Sequence, residues 1–270
     1  EEWSAFHTHY DTQVMPAKDP DRELVFKLHT FSSSLKLRLS SSSSWEHMAG
    51  WNMQIQKNAV GGYSFLLPEY KRFTTGAFWL TTFRLDNQLS VTGGIRYDRG
   101  RIDITAFEDP YLVEYLHRQG YEEEVIQAYR WRSYPVDRAY GNYSCSAGVV
   151  WTPAAGHLLK MNVGRSFRLP GVNELASNGV HHGTFRHEKG DATLSSEQGW
   201  QIDASYTLAY KKMELVVSSF ASWFDNYIYL RPMGEWSVLP HAGQIYQYSG
   251  ARALFMGGEI NFNMDFLRHF

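Results

Sequence analysis

Hydrophobic and polar residues alternate with a period of two along most of this chain, the mark of strands whose two faces meet different surroundings. In Gln88–Asp98, Leu89, Val91, Ile95 and Tyr97 share one face, while Gln88, Ser90, Thr92, Arg96 and Asp98 share the other. Gln201–Tyr210 sets Ile202, Ala204, Tyr206, Leu208 and Tyr210 against Gln201, Asp203, Ser205 and Thr207. Leu159, Met161, Val163 and Phe167 likewise oppose Lys160, Asn162, Ser166 and Arg168. The pattern predicts ten strands, at Trp3–Tyr10, Glu23–Ser40, Trp45–Asn58, Tyr70–Phe83, Gln88–Ile102, Ala139–Thr152, His157–Arg168, Ser195–Tyr210, Met213–Tyr229 and Gln244–Met264. Within Glu23–Ser40 the phase slips at His29–Thr30, which a β-bulge would produce. Leu112, Tyr115 and Leu116 have helical spacing, so a short helix is expected there.

Alternation alone fits both a soluble sandwich, which buries its apolar face, and a membrane barrel, which turns it to lipid. The connections separate the two. Short joins ("RLDNQ", "TPAAGH", "YKKM" and the serines before Trp45) alternate strictly with long ones ("NAVGGYSFLLPEY", Arg99–Arg138, Leu169–Leu194, "LRPMGEWSVLPHAGQ"). Outer-membrane barrels have this asymmetry, and strands of ten residues or more suit a tilted span. The fold expected is all-β, an antiparallel transmembrane β-barrel.

Composition narrows the function. The net charge of −2 over 270 residues offers no basic footprint for nucleic acid. Cys145 is the single cysteine, so an internal disulfide and a cysteine-based metal site are excluded. No run of about 18 apolar residues marks a membrane helix, and no signal peptide opens the chain. There is no Gly-x-Ser-x-Gly and no Ser/His/Asp set that the strand phase brings together, so an enzyme is not expected. Trp79, Trp151, Trp223 and Tyr229 fall near strand ends, where aromatic girdles form. Arg165 sits on the apolar face near an outer strand end, where its head can snorkel to the interface. Cys145 falls on the lipid side, and Glu122-Glu123-Glu124 reads as a hydrated charge run. His7 and His9, two apart on one strand, read as a polar inner face rather than a metal pair.

The segment Asn162–Tyr206 carries a resemblance. Phe167-Arg168-Leu169-Pro170, then Asn173-Glu174-Leu175, then Gly190–Glu197 leading into the next strand, resemble the barrel of TonB-dependent outer-membrane receptors. In that family a strand ends in Phe-Arg-Ala-Pro, Asn-Glu-Leu follows, and the next strand opens with Asn-Pro-x-Leu-x-Pro-Glu. Here Ala and Ser stand where the last motif has proline. Ser222–Leu230 and Gly250–Phe262 are similar to the following strand pair, and Thr75–Asp98 to an earlier one.

The resemblance implies a receptor in the outer membrane of a Gram-negative bacterium that binds a scarce nutrient at extracellular loops and imports it with TonB-derived energy. The ligands it implies are a ferric siderophore, haem or zinc. Such barrels have about 22 strands around a plug, so residues 1–270 are expected to be a partial barrel of about ten strands. The plug that meets the TonB complex and the flanking strands are expected to lie outside these residues, and Glu1-Glu2-Trp3 reads as an arbitrary cut. Leu169–Leu194 would be a surface loop over the barrel mouth. Its candidate ligand-binding residues are Arg168, Asn173, Glu174 and Asn178, with pairing to Glu174 the favoured role for Arg168. His181, His182 and His187, with Glu188 and Asp191, form a candidate metal or haem-iron set, since neutral imidazole ligates first-row metals; a solvated polar loop is the alternative. A passive porin or a structural or adhesive barrel is the rival function, one that would not need TonB.

Overall fold

The computed structural model describes residues 3–14, 25–40, 42–61, 67–181, 183–239 and 242–265. Ten long strands cross the molecule: β1 (Trp3–Val14), β2 (Val25–Ser40), β3 (Trp45–Gly61), β4 (Tyr70–Arg84), β5 (Leu89–Ile104), β8 (Val136–Trp151), β9 (His157–Arg168), β12 (Glu197–Tyr210), β13 (Met213–Trp236) and β14 (Gln244–Met264). Each pairs antiparallel with the next in this order. The remaining elements lie in the long connections: β6 (Phe107–Glu108), α1 (Pro110–Arg118), α2 (Glu123–Tyr129), β7 (Trp131–Ser133), α3 (Val172–Ala176), β10 (Asn178–His181) and β11 (Arg186–Lys189). β10 and β11 form a hairpin that extends the sheet beyond β14 through a parallel β11–β14 pairing. Among the described residues β1 pairs only with β2 and β10 only with β11, so the sheet is open at both ends.

No second large sheet covers this one; the other sheet among the described residues is the two-stranded β6–β7 pair. One face therefore stays bare and apolar. The register places Leu37, Ala49, Trp79, Ile95 and Cys145 in one cross-strand row, and Arg165, Trp200, Trp223 and Leu254 continue it. On this face Ile95 is 60% exposed and Ile260 72% exposed. The other face carries Asn52, Arg96, Asp98, Asn162, Gln201 and Asp203, with Arg96 bonded to both Asn52 and Asp98. A soluble domain does not leave a contiguous apolar surface of this extent uncovered. Lipid on the apolar side and water on the other accounts for both faces.

The apolar band ends sharply. Along β5 the outer face runs Leu89, Val91, Ile95, Tyr97 and then turns to Arg99, Arg101 and Asp103. At the same level the inner face changes from Arg96 and Asp98 to buried Ile102 and Ile104. The polarity thus inverts where the strand leaves the bilayer, after about the nine residues that a tilted span requires. The same inversion corrects the expected bulge at His29–Thr30. β2 pairs without any register shift from Val25 to Ser40; lower down Leu35, Leu37 and Leu39 face outward, whereas at the top Phe26 is buried inward and Lys27 and His29 face out. Among the ten long strands the register shifts are in β13, between Phe224 and Tyr227 and between Pro232 and Trp236.

Among the described residues, the tight turns between the long strands lie at one end of the sheet and the long connections at the other. The long-connection end is folded. Ile102, Ile104, Val136, Val172, Leu175, Ala176, Leu194 and Ile228 form one buried cluster. Leu112, Leu116, Ile126, Val180 and Leu239 form a second, which joins α1 and α2 to the β10 hairpin and the β13–β14 connection. The expected helix is α1, its first turn capped by the Asp109 carboxylate on the Leu112 amide at 3.1 Å. Glu123 and Glu124, expected to be loop, form the first turn of α2, where acidic side chains favour the helix dipole.

Candidate functional site: the cap at the long-connection end

Arg168 ends β9 on the inner face, opposite Glu197 at the start of β12. Its guanidinium donates to both Glu174 oxygens at 3.0 and 2.8 Å and to Glu197 Oε2 at 3.1 Å. Each carboxylate is also held by backbone: the Gly171 amide donates to Glu174 at 2.7 Å, and the Ile228 amide to Glu197 at 2.9 Å. The Phe-Arg-x-Pro and Asn-Glu-Leu motifs thus form a clamp that ties the top of β9 to α3, β12 and β13. Pairing with Glu174 was the favoured reading of Arg168; Glu197 is the partner that sequence did not reveal.

Asn173, next to that clamp, donates to the Tyr248 hydroxyl at 2.9 Å, and Tyr248 donates to Glu188 Oε2 at 2.8 Å. Burial, then the Glu188 carboxylate, raises the Tyr248 pKa well above its ordinary value. Asn173, Ser177, Gly179, His181 and Glu188, with Leu67 from the β3–β4 connection, line a cavity of about 150 Å³.

Asn178 and His187 are 2% and 0% exposed. Asn178 donates to the Trp131 carbonyl at 2.6 Å, which fixes the orientation of its amide. Its Oδ1 therefore accepts from His187 Nε2 at 2.8 Å, and His187 Nδ1 accepts from the Ser237 hydroxyl at 2.7 Å. Ser237 in turn accepts from the Leu239 amide at 3.1 Å. One chain of hydrogen bonds thus joins three long connections through a neutral imidazole. Burial, with Lys189 and Arg132 adding to it, lowers the His187 pKa to about 3.

The residues of the expected metal set lie as follows. Both ring nitrogens of His187 are engaged in hydrogen bonds inside the cap. Val180 is its cross-strand partner, and His181 pairs with Arg186; His181 and His187 therefore lie on opposite faces of the hairpin. Asp191 accepts from the Thr193 amide and hydroxyl at 2.8 and 2.6 Å and closes a turn. Among the described residues no three His, Cys, Asp or Glu side chains converge on a metal position. His182 lies outside the described residues. His181 is exposed and opens on the cavity. The expected surface loop Leu169–Leu194 is a packed element, because Val172, Leu175, Ala176, Val180 and Leu194 are buried in the two clusters.

Other expected positions fall as follows. Arg165 lies on the outer face but does not extend freely: it bonds the Tyr143 carbonyl and Gln198 Oε1 and lies 3.9 Å from the centre of the Tyr143 ring. Trp151 and Trp223 are exposed on the outer face, as is Trp79, although Trp79 is well inside β4. His7 and His9 pair with Ser34 and Ser32 in the β1–β2 register. Ser237, Tyr248 and Glu197 were missed by sequence reasoning. Only Glu197 left a signal, since it opens a strand on the polar phase directly after the loop.

The description "TonB dependent receptor-like, beta-barrel" matches residues 4–268. The chain belongs to this family. No curated protein matches it in sequence. Among solved structures it is similar to a double mutant of the Serratia marcescens hemophore receptor HasR in complex with its hemophore HasA and heme, with a TM-score of 0.66 and 20% identity over 90% of this chain and 40% of that one. It is similar to the copper transporter OprC, with a TM-score of 0.69 and 14% identity over 98% of this chain and 41% of that one. It is also similar to the alcaligin outer membrane receptor FauA of Bordetella pertussis, with a TM-score of 0.58 and 14% identity over 98% and 41%. These likenesses establish a shared fold, and the chain spans about 40% of the length of the first two.

Proposed function

We propose that this chain is part of the barrel of an outer-membrane receptor that binds a scarce nutrient at its extracellular cap and imports it with energy delivered through TonB. The nutrient classes that fit are a ferric siderophore, haem or a zinc-like metal. The observation that carries this reading is a single sheet with an uncovered apolar outer face, a polar inner face and a packed polar cap at one end only. The open sheet edges and the share of the solved barrels that the chain spans support its place as a section of a larger closed barrel around a plug. Transport receptors make and break no covalent bond in their cargo, and no nucleophile–base pair is needed.

Within the cap, Arg168, Glu174 and Asn178 act as positioning residues. Asn173 lines the cavity, and His181 at its edge, with His182 beside it in the chain, supplies the imidazoles for an iron- or zinc-bearing ligand. The test is growth of receptor-dependent cells on single sources of ferric siderophore, haem or zinc, with His181 and His182 replaced by Ala, and with TonB removed. Loss of growth on one source without TonB, and a weakened response to that source in the His variant, is the expected result. Uptake independent of TonB would favour the porin reading, and an unchanged His variant would remove the metal role.

A further inference from the structure

Of the asparagines in the chain, Asn178 alone is followed by glycine; the others precede Met, Ala, Gln, Tyr, Val, Glu or Phe. Packing requires both members of the pair. A Cβ at position 179 would lie 2.8 Å from Arg132 Nη2 and 3.1 Å from its Nε, and Arg132 is buried and has no open space to retreat into. Asn178 serves two partners at once, the Trp131 carbonyl through Nδ2 and His187 Nε2 through Oδ1. This pair is also chemically vulnerable. Asparagine is a thermolabile residue, and a following glycine neither shields its own nitrogen with a Cβ nor resists the bend that brings that nitrogen onto the asparagine Cγ. The closed cap holds the reaction off. The Asn178 amide is bonded at both ends, and Asn178 and Gly179 are paired with Lys189 and Glu188 in extended backbone. The hold is local, however: each hairpin strand has four residues, and β11 grips β14 through only three. Short elements of this kind open without global unfolding.

We propose that Asn178–Gly179 is a self-modification site of the cap: when the hairpin opens, Asn178 loses its amide, and the acid left behind keeps the cap from closing as before. The Gly179 nitrogen attacks Asn178 Cγ and gives up its proton. The Cγ–Nδ2 bond breaks, and Nδ2 leaves as ammonia with that proton. Water then opens the cyclic imide. Cleavage between Cγ and the nitrogen gives aspartate with the backbone restored; cleavage at the backbone carbonyl gives an isoaspartyl link that runs through Cγ. No electrons are transferred, and water is the only co-reactant. Either product is one-way. The aspartate turns an oxygen toward the Trp131 carbonyl, where a donor stood 2.6 Å away. The isoaspartyl link adds a backbone atom to β10 and breaks its register with β11. The site thus records cap opening irreversibly, whatever the cap binds.

A reaction confined to the open state runs in proportion to the open population. Ser237→Ala leaves His187 Nδ1 and the Leu239 amide without their partner, which raises that population at least about fivefold. The test incubates the full-length receptor at mildly alkaline pH. Peptide mapping by mass spectrometry follows the amide-to-acid conversion at every asparagine, and hydrogen exchange of the hairpin is read on the same samples. The free peptide of residues 174–184 supplies the rate without a cap. Asn178 is expected to convert more slowly in the receptor than in the peptide, yet faster than any other asparagine of the chain. Ser237→Ala should speed it at least about fivefold. Low urea, which opens the cap without a substitution, should speed it in step with hairpin exchange. The converted fraction should exchange as Asn178→Asp does. Conversion at the peptide's rate in the intact receptor, a rate that stays flat while hairpin exchange rises, or a converted fraction that keeps full protection would overturn the proposal.

Discussion

Replacing Asn178 by Ala tests whether the cap is held by its buried hydrogen-bond chain. The substitution strands two groups inside the cap: the Nε2–H of His187, 2.8 Å from Asn178 Oδ1, and the Trp131 carbonyl, 2.6 Å from Asn178 Nδ2. An unsatisfied buried donor or acceptor costs about 1–3 kcal/mol, so the two together cost about 2–6 kcal/mol. That raises the local opening of the cap at least about 30-fold, since about 1.4 kcal/mol is a factor of ten. Hydrogen exchange read by mass spectrometry is the assay. Amides of Trp131–Ser133 and of the Asn178–Lys189 hairpin should lose protection, while the β4–β5–β8 ladder within the band keeps its own. Asn178→Asp preserves the acceptor for His187 but turns an oxygen toward the Trp131 carbonyl, so it should loosen the cap at least as much at neutral pH. A change below threefold in the hairpin, or an equal loss across the long strands, would refute the argument that this chain of bonds holds the cap locally.

The imidazole adds a pH dependence. An unfolded cap protonates His187 near pH 6.5, whereas the folded cap resists until about pH 3. The open state therefore binds the proton first, and cap stability is full above pH 6.5 and falls below it by about 1.4 kcal/mol per pH unit. Exchange protection of the hairpin, corrected for intrinsic rates, should drop between pH 7 and pH 5, and His187→Gln should flatten that slope. Gly190→Ala would place a Cβ 2.5 Å from the Ala176 nitrogen and 2.6 Å from the Leu175 carbonyl carbon, both backbone; a cost of about 1–3 kcal/mol is expected, seen as faster proteolysis within the cap. Arg168→Lys keeps the charge but cannot span Glu174 and Glu197 as the planar guanidinium does. It should lower the thermal midpoint of the cap measurably, and an unchanged midpoint would remove the clamp from the account.

The long strands were legible because one side-chain period holds wherever one face meets lipid and the other water. The boundaries of that regime were not. At His29–Thr30 the alternation reverses because the medium changes while the backbone stays regular, and a reader of sequence alone sees a defect. The turns at 84–89 and 210–213 were legible because few residues separate two clear phases. The cap was the least readable part. β10, β11 and α3 are only four or five residues long, too short to display a period. His187 among Arg, Glu and Lys looks solvated in one dimension, and its burial comes largely from Tyr129 and the β13–β14 connection, which are distant in sequence. Arg168 and Glu174 could be paired from their spacing, but Tyr248 and Ser237 enter the site only through tertiary packing.

The central claim is that Ile95 and Val217 face hydrocarbon while Gln201 and Asp203 face water. Single cysteines at these four positions in a Cys145→Ser background, each carrying a bimane label in the vesicle-inserted receptor, test it directly. Quenching by brominated acyl chains should be strong at Ile95 and Val217 and weak at Gln201 and Asp203, with reactivity toward a charged aqueous thiol reagent in the opposite order. Uniformly weak lipid quenching at all four positions, or strong quenching at Gln201 and Asp203, would contradict the account.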